Sequence, residues 1–135
     1  MKPLILIIDD EQELSESMAV TLRDNGYRVL CAEDSASGLR AAREQRPDLI
    51  LCDVVMPDAS GFETVCALRA DPLTNRTPVV LITGDVEATQ YAGDGKCLTL
   101  IKPFYSDTLV DVVRGTLAAR GLAPKARALA ACGED

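Results

Sequence analysis

Five short apolar runs punctuate the chain: LILII (4–8), YRVLCA (27–32), LILC (49–52), VVLI (79–82) and LTLI (98–101). The second is mixed. The other four are nearly continuous, which suits strands buried on both faces of a parallel sheet. Helical spacing fills the intervals. Leu14, Met18 and Leu22 recur every fourth residue over 12–24, and Gly26 follows as a stop signal. Ala36, Leu39, Ala41 and Ala42 mark a helix over 35–45, with Asp34 or Ser35 as N-cap. Phe62, Val65, Cys66 and Leu68 mark another over 61–70. Leu109, Val112, Val113 and Leu117 mark the last, over 106–119, with Ser106 or Asp107 as its cap. The stretch 85–92 is weakly patterned and predicts about two turns of helix. Strand and helix thus alternate five times, which predicts an α/β fold with right-handed crossovers and helices on both faces of a parallel sheet.

In such a sheet, ligands bind beyond the carboxyl ends of the strands. The first run ends in Asp9-Asp10-Glu11, the third in Asp53, the fourth in Thr83-Gly84 and the fifth in Lys102-Pro103. The flavodoxin-like strand order 2-1-3-4-5 makes runs one, three, four and five contiguous, so these residues converge on one edge. Two carboxylates about 4 Å apart repel by roughly 4 kcal/mol at an effective dielectric near 20. Such a cluster wants a cation, and a few hard oxygen ligands suit Mg²⁺. A carboxylate can also act as nucleophile toward phosphorus, with Thr83 and Lys102 placed to hold phosphoryl oxygens.

Composition narrows the alternatives. The 135 residues make one domain of ordinary size, nearly half apolar, with a formal charge of −7. That charge disfavours direct contact with nucleic acids or anionic membranes. The absence of histidine excludes Ser-His-Asp and Cys-His chemistry carried by this chain alone, and His-ligated zinc. Cysteines at 31, 52, 66, 97 and 132 are odd in number and irregular in spacing, which points to reduced thiols in a cytoplasm. No apolar run has the length of a transmembrane helix or a signal h-region. Met1 lies directly before the first run, so the N-terminus reads as natural. Residues 121–135 read as a C-terminal tail or the start of a linker.

Four motifs, IIDDE (7–11), LCDVVMPDASG (51–61), LITG (81–84) and IKPF (101–104), occur in this order at strand ends. Together they resemble the CheY-like receiver domain of bacterial two-component response regulators, over about residues 3–119. The resemblance implies a receiver domain over 1–120 and a phosphorylation-activated signalling switch. It makes Asp53 the phosphoacceptor, Thr83 the switch hydroxyl and Lys102 the phosphate-binding lysine. It also implies Mg²⁺ held by Asp10, Asp53 and the backbone carbonyl of Val55, with Asp9 acting through water. A histidine kinase or histidine phosphotransfer protein is the implied phosphoryl donor, and the Lys102–Pro103 bond is expected to be cis. No enzymatic activity is expected beyond assistance to phosphorylation and dephosphorylation of its own aspartate. The expected state is a cytoplasmic monomer, or a weak phosphorylation-dependent dimer.

Two departures qualify the match. Receivers usually carry Tyr or Phe three residues before the lysine, where this chain has Thr99. The interval from Thr83 to Lys102 is a few residues short, so the fourth helix, over 85–92, is expected to be short or distorted. These departures leave room for a receiver-like interaction module that does not switch by phosphorylation. Tyr91 and Tyr105 are read as surface residues rather than substitutes for the aromatic. Rival enzymes on this architecture fit poorly. An FMN protein needs a Ser/Thr/Gly-rich phosphate loop where Asp9-Asp10-Glu11 stand, and a haloacid-dehalogenase-like phosphatase needs an acid where Val55 stands. Plainer roles are assigned to other residues: Glu11 serves the first helix, Asp58 makes a turn after Pro57, Gly61 gives backbone relief entering a helix, and Cys52 packs in the core.

Overall fold

The computed structural model describes residues 2–84 and 98–121. Its elements are β1 (Leu4–Ile8), α1 (Gln12–Asp24), β2 (Arg28–Ala32), α2 (Ser35–Gln45), β3 (Leu49–Asp53), α3 (Gly61–Ala70), β4 (Val79–Thr83), β5 (Leu98–Ile101) and α4 (Ser106–Ala118). The five strands are parallel in the order β2-β1-β3-β4-β5, the doubly wound order expected. The helix expected over 85–92, the tail from 122 onward and Tyr91 lie outside the described residues.

The runs of β1, β3 and β4 each serve two cores at once. Ile5 and Ile7 of β1, Leu49 and Leu51 of β3, and Val80 and Ile82 of β4 face α1 and α4, meeting Met18, Leu22, Leu109, Val113 and Leu117. The alternate residues Leu6, Ile8, Ile50, Cys52 and Leu81 face α2 and α3, meeting Ala42 and Leu68. Alternation of side chains along a strand therefore demands apolar residues at every position. Cys52 packs in the second core, as expected of it. Burying a Leu or Ile side chain fully is worth roughly 1.5–3 kcal/mol. Most of the largest fully buried side chains lie on β1, β3 and β4, so these strands form the rigid frame. At the sheet edge the reading of β5 as fully buried needs correction: Leu98 is 55% exposed and only Leu100 is buried, because this strand pairs with β4 alone.

Helix ends show where local signals hold. Asp34 caps α2 through a reciprocal capping box with Ser37. Ser60 and Glu63 do the same for α3. Gly26, at φ 93°, takes the left-handed turn that ends α1. For α4 the expected cap is wrong by one residue: Tyr105 holds the N-cap position with no side-chain cap bond, and Ser106 is already helical. Among the described residues, no helix is long and apolar enough to cross a membrane.

Candidate functional site

β3 and β4 each run one residue past their last apolar position, β1 and β5 end directly before a polar residue, and all four carry polar groups to one edge. Pairing of β3 with β4 continues through Asp53, opposite Ile82, and Val54 N–H donates to the Ile82 carbonyl at 3.0 Å. Asp53 therefore ends a strand flanked on both sides, and it is only 4% exposed. β4 continues to Thr83, which is buried and pairs with Ile101. The Thr83 carbonyl accepts the Lys102 N–H at 2.8 Å, tying hydroxyl and lysine to one ladder. Asp9 leaves β1 with its N–H bonded to the Ala32 carbonyl, and its Oδ1 accepts the Glu11 N–H at 2.9 Å.

Carboxylate oxygens of Asp9, Asp10 and Asp53 lie within 4.8 Å of one another. Asp9 is 1% exposed, whereas Asp10 faces solvent. Asp9 Oδ2 is buried with no hydrogen-bond partner among the described residues. Burial, then the charge of Asp53, pushes the Asp9 carboxyl up from 3.8 to about 6, against the lowering effect of the Glu11 N–H and of Lys102. Across the cluster, Lys102 Nζ lies 3.5 Å from Asp53 Oδ2. Burial lowers the lysine's pKa, but the Glu11 hydrogen bond and the charges of Asp53, Asp9 and Glu11 together raise it, so it stays a cation. The Lys102–Pro103 bond is cis.

The loop after β3 is held tightly. Val55 and Ser60 form an antiparallel bridge, and Gly61 N–H donates to the Val54 carbonyl at 2.7 Å. Gly61 is required by close approach, not by an unusual φ. A Cβ there would lie 2.6 Å from the Asp53 carbonyl oxygen. Val55 itself is exposed, and its N–H points to Asp53 Oδ1 at 3.4 Å.

Several residues do more than their local sequence indicates. Asp58 is not merely a turn residue: its two oxygens accept the N–H groups of Ser35 and Ala36 at 2.9 and 3.0 Å, fastening the loop to the first turn of α2. Buried hydroxyls of Ser35 and Thr64, 2.7 Å apart, join α2 to α3 beneath it. Glu11 occupies the N-cap position of α1 but makes no side-chain cap bond. Its carboxylate instead accepts from Lys102 Nζ at 2.8 Å. The only sequence signals for these were a Pro-Asp turn and hydroxyls on the apolar faces of helices. Thr99 is half-buried on β5, and Tyr105 is 83% exposed, the surface residue expected.

A doubly wound parallel sheet with acids, a buried hydroxyl and a lysine gathered on its carboxyl edge defines the CheY-like class of signalling domains. The chain belongs to the response regulator receiver domain family, whose profile matches residues 5–114. Members of this family are phosphorylation-activated signalling switches. The chain is similar to PilH of Pseudomonas aeruginosa, with 34% identity over 117 residues, 84% of this chain and 97% of PilH. It is 32% identical over 120 residues to the DNA-binding response regulator MtrA of Mycobacterium tuberculosis, and spans about half of that protein's length. Among solved structures, the chemotaxis response regulator CheY4 of Vibrio cholerae matches with a TM-score of 0.80 and 32% identity, over 87% of this chain and all of CheY4. The receiver domain of the Pseudomonas aeruginosa sensor histidine kinase PA1611, which has a magnesium ion in its active-site cleft, matches with a TM-score of 0.79 and 25% identity, over 87% of this chain and 99% of that one.

Proposed function

We propose that Asp53 accepts a phosphoryl group from the phosphohistidine of a partner histidine kinase or histidine phosphotransfer protein, in the presence of Mg²⁺. The observation that carries this reading is the placement of Asp53 at the end of a central strand, within 4.8 Å of two further acids and 3.5 Å from the Lys102 ammonium. An Asp53 oxygen attacks phosphorus, and the P–N bond of the donor breaks with its electron pair left on the imidazole. Lys102 balances charge on the phosphoryl oxygens, and the Thr83 hydroxyl donates to one of them. The donor set fits a hard divalent cation: carboxylate oxygens converge, and Asp9 brings a buried oxygen without a partner among the described residues. Asp10, Asp53 and the Val55 carbonyl would hold Mg²⁺ directly and Asp9 through water, and the magnesium ion in the active-site cleft of the PA1611 receiver supports the choice of metal. When bound, Mg²⁺ supplies positive charge that offsets both the acids and the incoming phosphoryl group. The domain over 1–120 then acts as a cytoplasmic switch, monomeric or weakly dimeric when phosphorylated, with the added charge biasing two packings of a surface that a protein partner reads.

Incubation with acetyl phosphate and Mg²⁺ tests the reading. Wild type should gain one acid-labile phosphoryl group and Asp53→Asn none. Equal labelling of both would refute it. Thr99, in place of the usual aromatic, supports a second reading, an interaction module that does not switch. Equal affinity for a protein partner with and without beryllofluoride would favour that one.

A further inference from the structure

Lys102 has two acceptors and sits closer to the one that is not the proposed phosphoacceptor. Its Nζ is 2.8 Å from Glu11 Oε1 and 3.5 Å from Asp53 Oδ2. The lysine backbone is fixed, since its N–H bonds to the Thr83 carbonyl, so only the four-carbon stem can redistribute the charge between them. Glu11 has no competing use for its carboxylate. It stands at an N-cap position without capping, and its side chain is 60% exposed against 6% for that of Asp53. The remaining charged group that acts on the ammonium is Asp9, whose Oδ1 is already taken by the Glu11 N–H.

We propose that Glu11 is a positioning residue: it parks the Lys102 ammonium beside the acid cluster in the unphosphorylated protein and yields it when a phosphoryl group arrives on Asp53. This rests on Asp53 as phosphoacceptor. A carboxylate with one negative charge becomes a group carrying nearly two, with three strong acceptor oxygens. The balance between two anionic acceptors then tips from Glu11 toward position 53. Parking leaves an Asp53 oxygen less engaged for attack and keeps a cation close at hand, but the Lys102–Glu11 pair must break for every phosphorylation. Glu11 thereby lowers the affinity of the site for a phosphoryl group without touching it.

Two measurements separate this inference from the reading beneath it. In the unphosphorylated protein, Glu11→Gln should shift the side-chain NMR signals of Lys102, while a second-site control at the exposed Glu13 should not; an unmoved Lys102 overturns the parking. Beryllofluoride with Mg²⁺, followed by ¹⁹F NMR, then reads the consequence. Glu11→Gln should bind about two- to fivefold more tightly than wild type at low salt, the range set by an exposed ion pair. That gain should shrink at high ionic strength and largely vanish in a Lys102→Met background. A gain that persists without Lys102 would mean simple repulsion by Glu11 and would overturn the proposal. Absence of any beryllofluoride binding by wild type would overturn the phosphoacceptor reading and the inference with it.

Discussion

The loop after β3 and the loop after β5 meet at the same site but are built differently. The first is fastened at several points: the Val55–Ser60 bridge, the Ser60–Glu63 capping box, Gly61 pressed on the Asp53 carbonyl, and Asp58 on the amides of α2. The second carries Lys102 by its backbone and then passes through Pro103 to an α4 whose N-cap, Tyr105, contributes no side-chain bond. One side of the site thus presents an acid fixed by backbone geometry, and the other a cation on a long side-chain stem within reach of two acceptors. The contrast suits a switch: the acceptor should be rigid, and the group that answers the new charge should be free to move.

The fixed side is the easier to break. Gly61→Ala brings a methyl to within 2.6 Å of the Asp53 carbonyl oxygen, so the loop or helix α3 must shift. Thermal or urea unfolding should show a loss of about 1–3 kcal/mol, with phosphorylation impaired as well. Next in size is the acid cluster. The folded-state pKa of Asp9 lies above its unfolded value, so between pH 3.8 and about 6 the folded protein holds the extra proton. Stability of the metal-free protein should therefore fall as pH rises through that window. Asp9→Asn should remove most of that fall and stabilise the metal-free protein at pH 7 by about 1–3 kcal/mol. Mg²⁺ should narrow the gap between variant and wild type, since at the proposed site it would bind only the folded acid cluster. Asp58→Ala should cost about 1 kcal/mol, the scale of a lost N-cap. The smallest effect belongs to the looser side: Tyr105→Ser supplies the missing cap of α4 and should raise stability by about 0.5–1 kcal/mol in the same unfolding experiments.

Much of this was legible in the chain. The apolar runs and their polar ends placed Asp9, Asp53, Thr83 and Lys102 on one edge, because strand order and side-chain alternation leave few alternatives. The boundaries were less legible. Backbone pairing continues through Asp53 and Thr83, although hydrophobicity stops one residue earlier. The cap of α4 is not legible, because Ser106 is a good capping residue that the helix has already absorbed. The sequence suggests only local roles for Glu11 and Asp58, since their partners lie 91 and 23 residues away and no local pattern encodes such contacts. Glu11 also stands where an acid would favour the helix dipole, so the plainer reading had a physical basis.

The proposed function requires the rigid acid Asp53, rather than either of its neighbours, to take the phosphoryl group. Borohydride reduction of the phosphorylated protein converts an aspartyl phosphate to homoserine, and peptide mass mapping locates it. Homoserine is expected at position 53 alone. Homoserine at position 9 or 10, or reduction spread among the three acids, would contradict it.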